Sequence, residues 1–280
     1  MNNLKLSEIW IYPIKSLGGI SINTAKIERR GLQHDRRWML VDERGVFLTQ
    51  RNHTEMALLR VEIKENRLEV SHKTKKLTPT HIPFNAEPFE HLKVQVWDDE
   101  CEAFTISNDI NHWFTDVLGV NCRLVYMPDS SYRQIDIRYA AAGEVTSFAD
   151  GYPILILGQE ALNKLNSKLI SETSPMNLAA KAIEMNRFRP NLDFVGGEPK
   201  EEDNWTQFQI GNASFLGVKP CARCVMTTIN QNNGMKGSEP LKTLATYRKK
   251  GNKILFGQNV IAQSIGAEIQ VGDRIKVIKS

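Results

Sequence analysis

The sequence predicts a mainly β protein with some helix, an α+β chain built from barrel-like β units. Two observations carry this expectation. Short runs of alternating apolar and polar residues recur between Gly, Asn and Asp turns. Only four stretches show helical periodicity, and no internal repeat or low-complexity segment breaks the pattern.

Taken in order, Ser7 to Ile14 reads as a strand. Trp38–Val41 and Val46–Thr49 read as a hairpin around Asp42–Gly45, with Gly45 free to take positive φ. Val61–Ile63 and Leu68–Val70 form a second hairpin around Glu65-Asn66, and Val94–Trp97 with Ala103–Ile106 a third around Asp98–Glu100. A short helix follows, capped by Ser107 or Asn108 and ended by Gly119, with Trp113, Phe114, Val117 and Leu118 on its apolar face. The apolar run Ile154–Leu157 leads through Gly158 into a helix bearing Ala161, Leu162, Leu165 and Leu169 on one face. Ser174-Pro175 caps a helix expected over Met176 to Met185. Short strands then dominate, broken by a helix near Leu241 to Lys249, and Ile269 to Val277 reads as a closing hairpin. Met127–Ser131 marks a boundary between a domain at residues 1–128 and one at 129–280.

The chain has 280 residues, 41% of them hydrophobic, enough for a sizeable core. Its net charge of +4 is too mild for a nucleic-acid binder but leaves room for a small anionic ligand. No run of about 18 apolar residues exists to span a membrane. Met1 to Lys15 lacks the pattern of a signal peptide. Four cysteines are too few for a disulfide scaffold at this length, so a cytoplasmic protein with reduced thiols is expected.

Four segments carry chemistry. Cys221-Ala-Arg-Cys224 could be half of a zinc site, a redox pair or two buried thiols. A zinc site needs further ligands, and the other cysteines and six histidines are scattered. A redox pair needs a helix start, whereas Val225–Ile229 is β-forming. A single-thiolate metal ligand or a sulfur carrier gains from both. Arg187-Phe-Arg-Pro-Asn191 sets two guanidiniums beside a proline that disfavours helix at Arg189. An Arg so held can chelate phosphate, although a solvated helix end would look the same. Lys15-Ser16 before Gly18-Gly19 resembles a minimal phosphate loop or a polar turn, without the Walker A spacing. Asp35-Arg36-Arg37-Trp38 offers cations or an ordinary surface ion pair. Asp98–Glu100 and Glu201–Asp203 read as solvated charged loops.

In this order the four segments resemble the MOSC superfamily, in the two-part arrangement of the mitochondrial amidoxime-reducing component and its bacterial relatives. That resemblance implies a MOSC N-terminal β-barrel-like domain ahead of a MOSC β-barrel domain, and the molybdenum cofactor (Mo-molybdopterin) as bound group. Cys224 would be the metal ligand and the catalytic residue, and nearby cations would favour its thiolate. Lys15, Ser16, Arg36, Arg189 and Asn191 match cofactor-binding positions. Asp150, Gly151 and Tyr152 match more loosely, because Gly151 and Tyr152 stand where small hydroxyl residues are expected. Cys221 would be a packing thiol. The implied activity is reduction of N-hydroxylated bases, amidoximes and hydroxylamines. No cysteine follows Cys224 and no dinucleotide fingerprint is present, so electrons would come from a separate ferredoxin-, cytochrome- or flavin-reductase-like protein. The alternative is a cofactor-binding or sulfur-carrier module without turnover of its own. A pyridoxal-phosphate-binding label also attaches to the family.

Overall fold

The computed structural model describes residues 3–171 and 182–280. Its centre is a nine-stranded sheet. From one edge the order is Ile275–Lys279, Gln207–Ile210, Ala213–Ala222, Lys253–Ala262, Ile154–Gly158, Leu192–Val195, Lys5–Ile11 and Ile20–Ile22, and Lys249–Lys250 pairs separately with Lys253–Ala262. Two strands from the start of the chain thus complete a sheet otherwise built from its second half. Lys5–Ile11 lies antiparallel to Leu192–Val195, with Ile9 opposite Leu192. The core behind this sheet is aromatic-rich, with Phe194, Trp205 and Phe208 in tilted ring contact one after the next and Phe208 stacked on Phe215.

Three smaller sheets flank it. Trp38–Val41, Arg123–Tyr126, Asp99–Thr105 and Glu90–Val96 form one; Glu268–Gln270, Thr24–Glu28 and Gly31–Leu32 another; Leu59–Lys64, Arg67–His72 and Thr80–Pro83 the third. The strand-dominated class expected from the sequence is observed. The sheets are not closed barrels: each strand order runs from edge to edge.

Local readings fare unevenly. The helix Asn108–Leu118 is capped by Ser107, whose Oγ accepts from the Ile110 amide, and ended by Gly119 in the left-handed region. The helix Gln159–Ser171 buries Ala161, Leu162, Leu165 and Leu169. The helix expected at 176–185 lies outside the described residues as far as 181; residues 182–184 are not helical, and Met185 opens a short 3-10 turn, Met185–Arg187. Gly45 has φ +79, and a Cβ there would sit 2.8 Å from the Lys93 carbonyl oxygen. Trp38–Val41 takes Arg123–Tyr126 as its partner on one side, while the expected hairpin is held by a bridge from Val41 to Phe47, by the Asp42 amide on the Val46 carbonyl and by the Leu48 amide on the Leu40 carbonyl. The closing hairpin does not form. Glu268–Gln270 pairs with Thr24–Glu28 and Ile275–Lys279 with Gln207–Ile210, because Val271 and Gly272 bond instead to Asn23 and Leu6.

Candidate functional site

The long strand Ala213–Ala222 delivers the CxxC segment to a cleft. Its register against Lys253–Ala262 shifts at Gly217/Lys219 and again at Pro220/Ala222. Such irregularities bend a strand and re-aim the residues after it, and proline cannot donate to a ladder. The Arg223 amide bonds the Ile254 carbonyl at 2.8 Å. Val225–Thr228 then forms a 3-10 turn, not the strand that its β-branched residues suggest. Thr227 and Thr228 donate their hydroxyls to the carbonyls of Cys224 and Val225, at 2.9 and 2.7 Å, which holds the turn. Arg187 pins it from outside, donating to the Thr227 and Glu239 carbonyls.

All the residues singled out from the motifs line this one cleft: Lys15, Ser16, Arg36, Asp150, Gly151, Tyr152, Arg189, Asn191 and Cys224. Lys15 and Ser16 are buried, so they are no solvated turn. Lys15 Nζ donates to the Phe148 carbonyl at 2.7 Å and to Asp150 Oδ1 at 2.5 Å. Burial and neighbouring arginines bring the Lys15 ammonium down to about 8 against the pull of Asp150. Burial alone would raise the Asp150 carboxyl, but Lys15 and Arg51 overcome it and hold it well below the usual carboxylate range. Its side chain is 55% exposed, so solvent screens part of that effect. The glycines after Ser16 serve packing. A Cβ on Gly18 would lie 2.9 Å from the Leu59 carbonyl oxygen, and one on Gly19 only 2.5 Å from the Tyr12 ring.

Tyr12 organises the cationic wall. The guanidiniums of Arg36 and Arg189 lie 4.6 and 4.1 Å from its ring centroid. Its hydroxyl donates to the Pro190 carbonyl at 3.0 Å. Arg36 is held by buried Asp35 at 2.5 Å and by Asn191 Oδ1 at 2.9 Å. Ser16, Arg36 and Arg189 all have positive φ, at +67, +50 and +54, which side-chain-bearing residues rarely adopt. Strain of this kind clusters where a ligand is clamped. Burial lowers the Arg189 guanidinium to about 10.

Ser16 Oγ, Tyr152 Oη, Arg189 Nη2 and Arg223 Nε are buried and unpartnered, and all four residues line the cleft. Four hydrogen-bond donors plus surplus positive charge fit an anionic, oxygen-rich organic group. The described residues contain no cluster of three His, Cys, Asp or Glu side chains. Cys221 is half-buried and lines the cleft, with Arg223 Nη1 3.0 Å from its sulfur.

Sequence reasoning missed Arg223, Arg51 and Tyr12. Arg223 stood between the two cysteines in plain view. Arg51 had no motif, yet it reaches Asp150 at 3.1 Å and stacks on Trp97. Glu202, read as part of a solvated loop, is buried in a 3-10 turn, because Oε1 accepts from the Gly158 amide.

The fold and the cleft define a protein with a MOSC N-terminal module followed by a MOSC module. Residues 3–121 match the MOSC N-terminal beta barrel domain and residues 143–276 the MOSC domain, and the chain belongs to that family. It is 33% identical over 269 residues to the molybdenum cofactor sulfurase of Oryza sativa subsp. japonica, matching 92% of this chain and 32% of that protein. It is 29% identical over 292 residues to mitochondrial amidoxime-reducing component 1 of Mus musculus, matching 98% of this chain and 82% of that one. The human amidoxime-reducing component 1 is 28% identical, with the same coverage. The chain thus spans about a third of the length of the plant sulfurases. No described helix is long and apolar enough to cross a membrane.

Proposed function

We propose that this chain binds the molybdenum cofactor in the cleft, with Cys224 as the protein's thiolate ligand, and reduces N-hydroxylated compounds. The observation that carries the reading is the convergence of all nine motif positions on one cleft that also holds unpartnered buried donors. Relatives named amidoxime-reducing component, matched along nearly the whole chain, support the reductase assignment. We also take the two modules to meet near residue 128, and the protein to act in the cytoplasm.

In this reading Arg189, Arg223 and Ser16 hold the cofactor's anionic part through the donors that lack partners, and Arg36 adds charge behind them. Bound molybdenum would supply two-electron chemistry that removes oxygen from nitrogen. The protein's share is orientation. Arg187, Thr227 and Thr228 hold the turn after Cys224, and Tyr12 fixes the two guanidiniums. Lys15, already committed to Asp150 and the Phe148 carbonyl, acts as a positioning cation and not as a Schiff-base amine.

A separate protein delivers the electrons. An anaerobic assay of cofactor-replete protein with an amidoxime tests this: reduction is expected with artificial one-electron donors and none with NADH alone. The relatives named sulfurase favour one second reading, a sulfur carrier without turnover. Metal, pterin and sulfane-sulfur analysis separates the two. Sulfane sulfur on Cys224 with no reduction under strong donors would replace the reductase by the carrier.

A further inference from the structure

A second cavity, of about 590 Å³, shares no lining residue with the cofactor cleft. We propose that it binds a planar aromatic molecule carrying a phosphate group. The segment His34–Arg37 serves both cavities: Arg36 lines the cleft, while His34 and Arg37 line the second cavity. The volume suits a small organic ligand.

Its walls are rings. His34 and Phe84 stack at 4.2 Å with planes 10° apart, and Trp38 lies 5.9 Å from Phe84 and 5.0 Å from Tyr126. His34 and Phe84 are only half-buried, so the outer side of this stacked pair stays accessible. Stacking on such faces is what a flat ring requires.

Its charge is positive. Lys26, Arg29, Arg30 and Arg37 stand against Glu28 and Asp129, an excess that matches a phosphomonoester dianion. Part of the arginine chemistry is structural. Arg37 Nη2 donates to Met127 O and Asp129 Oδ1, both at 2.7 Å, and Arg30 Nη2 donates to the Asp129 and Ser131 carbonyls. Those bonds leave Arg30 Nε, Arg37 Nε and Trp38 Nε1 buried without a partner. All three side chains are more than nine-tenths buried, where an unmade hydrogen bond is costly. His34, at φ +64, adds backbone strain at the same wall. A bare anion would leave the rings unused, and a neutral aromatic would leave the charge unmatched.

The test is calorimetric titration of the full chain with AMP, adenosine and inorganic phosphate as probes. AMP should saturate one site and bind at least tenfold tighter than either fragment. Phe84→Ala and Arg37→Gln should each weaken AMP at least tenfold, while Phe84→Ala keeps the wild-type melting temperature within a few degrees. Arg189→Ala, in the other cavity, should bind AMP as the wild type does. Absence of saturable AMP binding, equal binding of the fragments, AMP binding untouched by Phe84→Ala, or its loss in Arg189→Ala would each overturn the proposal.

Discussion

Arg36 and Asn191 meet across 155 residues of chain, the guanidinium donating to the amide oxygen at 2.9 Å. The same amide oxygen accepts from the Leu155 amide at 3.2 Å, and Asn191 Nδ2 donates to the Trp10 carbonyl at 3.1 Å. Asn191 thereby ties Arg36 to two strands of the central sheet. Asn191→Ala would strand those partners in the interior, so we expect a loss of roughly 1–3 kcal/mol in chemical denaturation. Pterin content should fall with it. A variant of wild-type stability would show that the clasp is dispensable.

Cys224→Ser should abolish molybdenum binding and activity with the fold intact, since a hydroxyl is a poor substitute for a soft thiolate. Cys221→Ser should be milder. It removes only the sulfur that faces Arg223. Metal analysis of both variants decides. Equal loss in the two would indicate a dithiol pair instead.

Arg189→Ala should reduce cofactor occupancy about tenfold or more, given roughly 1.5–3 kcal/mol for a charge-assisted hydrogen bond. The apo-protein's melting temperature should move much less, because burying that guanidinium is itself costly. Pterin released from purified protein gives the readout, and unchanged content would refute the role.

Gly19→Ala should destabilise the chain by about 1–3 kcal/mol through overpacking. The new methyl would meet the Tyr12 ring, against which Arg36 and Arg189 lie. We expect a lower melting temperature and lower pterin content together. A loss of stability alone would separate Tyr12 from cofactor binding.

Glu202 makes stability depend on pH. Burial pushes its carboxyl up to about 7 from an ordinary value of 4.5. Between those values the folded state keeps a proton that the unfolded chain has released. Stability therefore falls as pH rises through this window, by on the order of 3 kcal/mol in total. Glu202→Gln should flatten that slope and unfold later than wild type at pH 8. Parallel denaturation profiles at pH 5 and pH 8 for both proteins would contradict the assignment.

Much of the site was legible because its chemistry sits in short contiguous segments. The CxxC, the Arg-Phe-Arg-Pro-Asn run and the Lys15-Ser16 pair each announce themselves by residue type. Local rules also placed the Ser107 cap, the Gly119 stop and the apolar face of Gln159–Ser171, since capping and helical periodicity act within a few residues. The readings that failed involved partners far away in sequence. Glu268–Gln270 chose Thr24–Glu28, and Ile275–Lys279 chose Gln207–Ile210. Pairing between distant strands depends on which faces can be buried together, and no local pattern encodes that.

The amino-acid sequence by itself determined the strand-rich class, the family and the residue types from which the site is built. Only the tertiary structure brought Tyr12, Asp35, Asp150 and Asn191 around the arginines, joined Lys5–Ile11 to Leu192–Val195, and drew Arg51 to Asp150 and Arg223 to the Phe188 carbonyl. It also turned Glu202 inward, where a residue read as solvated becomes titratable near neutrality. The physical reason is that charge, hydroxyl and thiol chemistry belong to single residues. Burial, orphaned donors and shifted ionisation belong to neighbours, which the chain acquires only by folding.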